Sequence, residues 1–317
     1  MERLKFAAVD IGSNAVRLLI MSISSEVTAE AFDKEIMIRV PLRLGQESFV
    51  SGKIGDAKKK QLIRLLKAFK HLMKVYEVND YRICATAAMR EAKNSKEIVK
   101  EIKNETDFKV EIIDGQEEAN IIFESHFAYH LNDHLNYVFV DVGGGSTEIS
   151  LISNEKFIQS DSYNIGTVRK LFGKVDEQEY ARLHTDLEKL KKQYQVNDII
   201  GSGGNIIKLN ALGEVRRGRK LSVAALETLN EKLKQYSTDE RIEMYKLKPD
   251  RADIITHAAD IYLDVAKTMG AKSFIVPKIG LIDGIVHLLY VKWKLKNGSD
   301  TDQLTGLLDN DVIKLSN

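Results

Sequence analysis

The sequence predicts an α/β protein made of two similar domains, and three observations support this fold class. Residues 10–17 read DIGSNAVR and residues 141–148 read DVGGGSTE, so the chain carries two closely related stretches. Each stretch lies between two short apolar runs, which is the pattern of a β-hairpin with a turn of small residues. Amphipathic segments with helical spacing fill much of the remaining chain. A repeat at this separation is of domain size and indicates a duplicated α/β unit.

The two hairpins are the first elements of this prediction. Their four strands are predicted at residues 6–9, 16–23, 137–140 and 149–152. Alignment of the hairpins places Asp10 over Asp141 and Gly12 over Gly143. An acidic residue therefore ends the first strand of each hairpin, directly before a turn that contains glycine.

Helices are predicted in the segments between and after the hairpins. They span residues 57–77, 116–131, 178–194, 222–236, 251–269 and 281–296. Ser237 followed by Glu240 fits a capping box, which predicts the start of a further helix. We place the domain boundary within the helix at 116–131, which gives domains 1–124 and 125–317, with the final helix free to pack back towards the first domain.

Composition limits the function classes. The chain has 317 residues, 44% of them hydrophobic, which is enough for more than one core. The formal net charge of +1 gives no overall positive field, so we expect no nucleic-acid partner. Cys84 is the single cysteine, which excludes an internal disulfide scaffold and a multi-cysteine metal site. No apolar run has the length of a signal-peptide core or a membrane span, so we expect a cytoplasmic protein without a membrane partner.

The glycine-containing turns predict anion binding. A turn of small residues directs several main-chain N–H groups to one point, and phosphate is the natural ligand of such a nest. Neither hairpin turn has the lysine of a Walker A loop, and the turn at 143–148 lacks the last glycine of a Rossmann fingerprint and runs into a strand. A third glycine loop at 201–205 precedes a helical segment, whose N-terminus also favours an anion.

Three other groups of polar residues, which are histidines, a basic segment and a serine, are not assigned a metal-binding or catalytic role. His126, His130 and His134 recur at four-residue spacing, but Asn132 and Asp133 interrupt the helix, so we interpret them as exposed helix histidines. The basic segment VRRGRK, which contains Arg216, Arg217, Arg219 and Lys220, fits a solvated surface loop better than a polyanion track. Ser146 does not lie in a G-x-S-x-G nucleophile elbow, so we interpret it as a serine of the phosphate-binding loop and not as a nucleophile.

Several motifs resemble one protein family. The segments at 85–94, 114–123, 141–148, 164–171, 201–209 and 247–255 read ATAAMREAKN, DGQEEANIIF, DVGGGSTE, NIGTVRKL, GSGGNIIKL and LKPDRADII. In this order they resemble the landmarks of the exopolyphosphatase/guanosine pentaphosphatase (Ppx/GppA) family, in a short two-domain form. The resemblance implies the fold of the actin-like ATPase superfamily: duplicated actin-like (ribonuclease H-like) domains, with mixed β-sheets flanked by helices and an interdomain cleft.

The resemblance also implies roles for particular residues. The catalytic glutamate of the family lies in the Glu-Glu-Ala motif, which indicates Glu118 as the residue that orients or deprotonates water, with Glu117 left as an alternative register. Asp141 and Glu148 are expected to act with it. Hard carboxylate ligands opposite phosphate suit Mg²⁺ or another divalent cation, which we expect at Asp10, Asp141 and Glu148.

Phosphate binding is expected from the three glycine loops and two arginines. The expected residues are Gly12, Ser13, Asn14, Arg17, Arg90, Gly143, Gly144, Gly145, Ser146, Thr147, Gly203 and Gly204. Arg169 is left open between phosphate binding and a structural ion pair. Ala15 and Ile282 depart from the family pattern, because polar residues are common at both positions.

The sequence therefore predicts a hydrolase of acid anhydrides. The expected reaction is Mg²⁺-assisted, in-line attack of water that releases terminal orthophosphate from inorganic polyphosphate or guanosine pentaphosphate. Two alternatives remain open: an actin-fold kinase of a small metabolite, and a non-catalytic sensor of guanosine tetraphosphate or polyphosphate. The sequence also leaves open whether the protein is a homodimer.

Overall fold

The protein is an α/β structure with two mixed β-sheets flanked by helices. The computed structural model describes residues 3–23, 32–124, 135–154, 156–213, 220–277 and 279–297. The predicted interpretations of His126, His130, His134, Arg216, Arg217 and Arg219 lie outside these residues. Lys220 is described, and its ammonium group pairs with the Asp198 carboxylate at 2.5 Å.

The first sheet has five strands. They are β1 (Leu4–Ile11), β2 (Val16–Ile23), β3 (Phe32–Val40), β4 (Asp80–Ala85) and β5 (Val110–Ile112). Their order across the sheet is β3-β2-β1-β4-β5. The helices of this half are α1 (Leu44–Ser51), α2 (Asp56–Val75), α3 (Ala87–Glu91), α4 (Ser95–Thr106) and α5 (Gly115–Glu124).

The second sheet has six strands. They are β6 (Asn136–Val142), β7 (Thr147–Ser153), β8 (Lys156–Tyr163), β9 (Val196–Ser202), β10 (Leu221–Ser222) and β11 (Ser273–Ile275), in the order β10-β11-β9-β6-β7-β8. The helices that follow β8 are α6 (Thr167–Leu171), α7 (Glu177–Gln193), α8 (Gly203–Leu212), α9 (Val223–Lys234), α10 (Thr238–Tyr245), α11 (Pro249–Ala252), α12 (Ile255–Met269) and α13 (Leu281–Lys296).

The two sheets repeat the same connectivity. β1 pairs with β2 antiparallel and with β4 parallel, and β6 pairs in the same way with β7 and β9. Each hairpin turn is closed by the same hydrogen bond, in which the N–H of Gly12 or Gly143 donates to the carbonyl of Ala15 at 3.2 Å or Ser146 at 2.9 Å. The repeat predicted from the sequence is therefore present in the fold.

Most predicted helices are found close to their expected bounds. The helix predicted at 251–269 is instead two helices, α11 and α12, which are separated by a turn at Asp253 and Ile254. The helix predicted at 116–131 is described only as far as Glu124, and the rest of it lies outside the described residues. The predicted capping box is confirmed: the Ser237 N–H donates to Glu240 at 2.7 Å, and the Glu240 N–H donates to the Ser237 hydroxyl at 3.3 Å. No helix within the described ranges is long and apolar enough to cross a membrane.

The central strand β1 is buried on both faces, which explains its continuous apolar sequence. Ala7 and Val9 face a core shared with α2 and α4, whereas Phe6 faces a second core shared with α13. This second core also contains Phe139 of β6, so it lies between the two sheets. The helices α5 and α13 fill the layer between the sheets.

The helices α5 and α13 cross with their backbones in contact. A Cβ atom at Gly284 of α13 would collide with the carbonyl oxygen of Ile121 in α5. Only glycine allows so close a crossing. Because α5 carries Glu118, this crossing sets the position of that carboxylate relative to both sheets.

Candidate active site

The two hairpin turns meet at one cavity of about 460 Å³. Two of the predicted site residues, Arg90 and Thr147, do not line this cavity. The predicted residues that do line it are Asp10, Gly12, Ser13, Asn14, Arg17, Glu118, Asp141, Gly143, Gly144, Gly145, Ser146, Glu148, Gly203 and Gly204. A cavity of this size is typical of a small-molecule site.

The glycines of the second turn are required by packing against the first turn. A Cβ atom at Gly144 would lie 2.9 Å from the Cβ of Ser13, and one at Gly145 would lie 2.5 Å from the Phe49 ring. Side-chain carbon atoms do not approach so closely, so any larger residue would push the turns apart. The absence of side chains here thus keeps the two turns together, and it leaves the main chain exposed to the cavity.

Asp10 is the second-last residue of β1 and is only 2% exposed. The Arg17 guanidinium, directly opposite it on β2, donates to Asp10 Oδ2 at 2.5 Å. The second oxygen, Oδ1, is buried and has no hydrogen-bond partner. Burial raises the pKa of Asp10, and the charge of Arg17 opposes this effect.

Asp141 has the equivalent position in the second hairpin. The Ser202 hydroxyl donates to Asp141 Oδ2 at 3.1 Å. Gly203 has φ +85°, and a Cβ atom there would lie 2.6 Å from Asp141 Oδ1. The carboxylate therefore lies directly against the third glycine loop. Burial raises its pKa to about 6, against the opposing effects of Arg17 and the Ser202 hydrogen bond.

Glu148 and Glu118 approach the cavity from different halves of the molecule. Glu148 is 2% exposed and accepts a hydrogen bond from the Ser162 hydroxyl at 2.9 Å. Burial raises the pKa of Glu148 to about 7. Burial, together with the charge of Glu148, raises the pKa of Glu118 well above its usual range, and the nearby Arg90 opposes this. Each carboxylate thus favours its protonated form more than an exposed glutamate does.

The structure separates the two neighbouring glutamates of α5. Glu118 lines the cavity, and its buried Oε2 has no hydrogen-bond partner, although Arg90 lies 3.6 Å away. Glu117 instead pairs with Arg82 at 2.6 Å, outside the cavity. Consecutive helical residues point about 100° apart, so only one of the pair can face the site.

Two predicted phosphate-binding residues have other contacts. The Thr147 side chain is fully buried, and its hydroxyl donates to the carbonyl of Ile165 at 2.5 Å. The Arg90 guanidinium donates to the carbonyl of Ile113 at 2.7 Å and lies beside Glu118. Thr147 supports the chain below the turn, and Arg90 compensates a carboxylate instead of facing the cavity.

Arg169, left open by the sequence, lies beneath the second turn. Its Nε donates to the carbonyl of Gly145 at 2.8 Å, and its guanidinium pairs with Glu91 and lies 4.2 Å from the centroid of the Phe49 ring. These contacts favour the structural interpretation of Arg169, because they use the guanidinium to support the turn.

The carboxylates of the cavity are possible ligands for a divalent cation. No group of three or more His, Cys, Asp or Glu side chains in the described part of the chain is arranged to hold a metal ion. The predicted three-carboxylate site at Asp10, Asp141 and Glu148 is therefore not preformed. Mg²⁺ commonly uses only one or two carboxylates together with phosphate oxygens and water. The unpartnered Oδ1 of Asp10 fits such an arrangement.

Sequence reasoning assigned no role to Asp250 and Arg251, although it singled out their motif, LKPDRADII. Asp250 accepts hydrogen bonds from Asn14 at 3.3 Å and Arg39 at 2.5 Å. Arg251 lines the cavity, and its Nε has no hydrogen-bond partner. Burial and the charges of Arg39 and Arg17 lower the pKa of Arg251 to about 10. The polar residues within this motif were the available signal.

Comparison with known proteins gives a family and several relatives. Residues 35–291 match the profile described as the Ppx/GppA phosphatase family. The chain is 26% identical over 293 residues to a bifunctional 3-dehydroquinate synthase/phosphatase of Fusobacterium nucleatum, covering 85% of this chain and 44% of the relative. It is 22% identical over 310 residues to a guanosine-5'-triphosphate,3'-diphosphate pyrophosphatase of Aeromonas hydrophila, covering 94% and 60%. The chain thus spans about half the length of these curated relatives.

Solved structures show the same fold. A Ppx/GppA family member from Aquifex aeolicus is 26% identical with a TM-score of 0.73, covering 94% of this chain and 100% of that one. An exopolyphosphatase from Cytophaga hutchinsonii is 21% identical with a TM-score of 0.79, covering 93% and 99%. The predicted fold class, duplicated actin-like domains with mixed sheets flanked by helices, is confirmed.

Proposed function

The chain belongs to the Ppx/GppA phosphatase family, and from this premise we propose that it hydrolyses phosphoanhydrides and releases terminal orthophosphate in the cytoplasm. The observation that carries the proposal is the shared cavity, in which two main-chain turns and four carboxylates meet. Inorganic polyphosphate and guanosine pentaphosphate are the candidate substrates that the names of the relatives indicate. Those names favour hydrolysis over the kinase and the sensor.

The terminal phosphoryl group is proposed to bind at the turns 12–15 and 143–146. Their main-chain N–H groups and the Arg17 guanidinium neutralise its oxygens, and the charge that develops during displacement is stabilised by the same donors. This arrangement supplies positioning and electrostatic stabilisation, which are the main requirements of phosphoryl transfer.

Glu118 is proposed to hold the attacking water and to accept its proton. Its unpartnered Oε2 lines the cavity, and its raised pKa makes it a stronger base than an exposed glutamate once it is ionised. Of the expected metal ligands Asp10, Asp141 and Glu148, Asp10 is the residue that would hold Mg²⁺ through its unpartnered Oδ1, together with phosphate oxygens. When bound, Mg²⁺ would supply charge neutralisation for the phosphate oxygens.

The test is orthophosphate release from medium-length polyphosphate and from guanosine pentaphosphate, with Mg²⁺. We expect Glu118→Gln to lower kcat by about 10³-fold, because the amide cannot accept the proton. Glu117→Gln is the matched control, because its side chain pairs with Arg82 outside the cavity, and it should keep near-normal kcat. Full activity of both Glu118→Gln and Glu118→Ala would exclude the proposed role.

A further inference from the structure

The side chain of Asn14, in the first hairpin turn, is anchored to the second half of the chain. Its Nδ2 donates to the main-chain carbonyl of Asp250 at 3.1 Å and to Asp250 Oδ2 at 3.3 Å. Both partners are acceptors, so only the nitrogen end of the amide can face them. Asn14 Oδ1 is buried and has no hydrogen-bond partner among the described residues. The donor end of this side chain therefore holds the turn and is not free for a ligand.

The main-chain carbonyls of the same turn are held by a segment of the first half. The N–H of Gly45 donates to the Ser13 carbonyl at 2.8 Å, and the N–H of Arg43 donates to the Asn14 carbonyl at 3.0 Å. In a trans peptide the N–H points in the direction opposite to the carbonyl. Each bond therefore turns the following N–H group, that of Asn14 or Ala15, away from this segment. Both residues line the cavity, so these two N–H groups are available to the proposed phosphate site.

The helix α11 and the residues that follow it contact the first half at the same place. Asp250 pairs with Arg39 of β3 at 2.5 Å, and Asp253 pairs with Arg43 at 2.6 Å. Ile254 is buried and belongs to the core that lies between the first sheet and the helices α2 and α4. This segment therefore contacts the first turn by two routes, directly at Asn14 and indirectly through Arg43.

The backbone of Arg43 indicates that the second route is maintained at a cost. Its φ is +53°, in the left-handed region that residues other than glycine rarely adopt. Such a conformation persists only where the surrounding contacts hold it. The ion pair with Asp253 and the N–H bond to the Asn14 carbonyl are two such contacts.

We propose that Asp250 is a positioning residue for phosphate binding, which anchors the Asn14 side chain and thereby holds the main-chain N–H groups of the first turn in place. Asp253 has the same role through Arg43. This inference rests on the proposed function, because the ligand of those N–H groups is the phosphoryl group. Donors that are already in position lose less free energy on binding than mobile donors do, so the anchor raises the affinity for phosphate.

The charge of Asp250 gives this proposal a sign that can be tested. A carboxylate near an anion site weakens anion binding by repulsion, and Asp250 also compensates the charge of Arg39, which lines the cavity. If Asp250 acted only through its charge, its removal would strengthen phosphate binding. Removal of an anchor has the opposite effect.

The first test is the affinity for inorganic orthophosphate, measured by calorimetry. We expect Asp250→Ala to raise the Kd about fivefold, because a hydrogen bond that holds the turn is lost. Asp250→Asn should bind orthophosphate more tightly than Asp250→Ala, since the new amide oxygen can still accept from Asn14. An unchanged or lower Kd in Asp250→Ala would overturn the inference, as would a wild-type protein that does not bind orthophosphate.

Asp198→Ala is the matched control for this measurement. Asp198 is 8% exposed and pairs with Lys220 at 2.5 Å, but it does not line the cavity. Its loss removes a carboxylate and an ion pair of the same length as that between Asp250 and Arg39. The Kd for orthophosphate should stay at the wild-type value in this variant.

A double-mutant cycle tests whether Asp250 acts through Asn14. Asn14→Ala should raise the Kd for orthophosphate by a factor similar to that of Asp250→Ala. The double variant should bind no more weakly than either single variant, because both substitutions break the same contact. Effects that multiply in the double variant would show that Asp250 acts by another route, and would overturn the inference.

A measurement without phosphate separates this inference from the proposed function. Hydrogen–deuterium exchange, followed by mass spectrometry, should be faster at residues 12–15 in Asp250→Ala than in the wild type, and unchanged there in Asp198→Ala. If the wild type releases no orthophosphate from polyphosphate or guanosine pentaphosphate, the proposed hydrolase is wrong, but the exchange rates and the Kd still test the anchor. Unchanged exchange at residues 12–15 in Asp250→Ala would overturn the inference.

Discussion

The two hairpins share one backbone design but differ in the charge of the residue that lies opposite the aspartate. In the first, Asp10 lies opposite Arg17, and the two side chains form an ion pair at 2.5 Å. In the second, the equivalent pair is two carboxylates on neighbouring strands, the half-buried Asp141 and the buried Glu148. Duplication has therefore kept the turn and its closing hydrogen bond while replacing a cation by an acid.

This difference gives the two hairpins different chemistry. In the first, Arg17 compensates the charge of Asp10, which suits contact with an anion. In the second, burial raises the pKa of Asp141 to about 6 and that of Glu148 to about 7, so these two groups keep their protons to a higher pH than exposed carboxyl groups do. The site is therefore asymmetric although the fold is repeated, because Arg17 lies opposite the aspartate in one hairpin and Glu148 lies opposite it in the other.

The largest expected effect comes from making the second hairpin neutral at the position of Glu148. Glu148→Gln should lower kcat for orthophosphate release by about 10³-fold, because a buried carboxylate of the site is lost. Glu105→Gln is the control, since Glu105 is an exposed carboxylate that pairs with Lys67. Retention of wild-type kcat by Glu148→Gln would show that the charge difference between the hairpins has no catalytic role.

The second prediction, with a smaller expected effect, concerns the packing of the glycine-rich turn of the second hairpin. Gly145→Ala should lower the free energy of unfolding by about 3 kcal/mol, because its Cβ would lie 2.5 Å from the Phe49 ring and 2.6 Å from the Ala87 Cβ. Gly280→Ala is the control, because a Cβ there would meet nothing within 4 Å. Denaturant unfolding measures both variants. Equal stability of the two would mean that the turns do not pack as closely as the structure shows.

The smallest expected effect is on the pH dependence of stability. A carboxyl group whose pKa is raised by folding stabilises the protein below its unfolded-state pKa, and this contribution is lost as pH rises through the folded-state value. For Asp141 and Glu148 the loss falls between pH 4 and about 7. With a chelator present, Glu148→Gln should reduce the fall in stability between pH 5 and pH 8 by about 2 kcal/mol. Thermal unfolding at the two pH values measures this, and an identical fall in wild type and variant would contradict it.

The two hairpins, most of the helices and the residues of the turns could be predicted from local sequence patterns. These features depend on local rules: strand alternation, turns of small residues, and the 3.6-residue helical period. The repeat then followed from the matching of Asp10 with Asp141 and Gly12 with Gly143. Such signals lie within a few residues of one another, so they can be read without knowledge of the fold.

Which side chains meet at the cavity depends instead on packing between elements that are distant in sequence. The separation of Glu118 from Glu117 depends on how α5 crosses α13, where Gly284 packs against the backbone of Ile121. Arg251 likewise reaches the cavity from a segment far along the chain. These positions result from contacts between residues distant in sequence. A local sequence pattern cannot predict these positions, because they depend on how closely the helices and strands pack against one another.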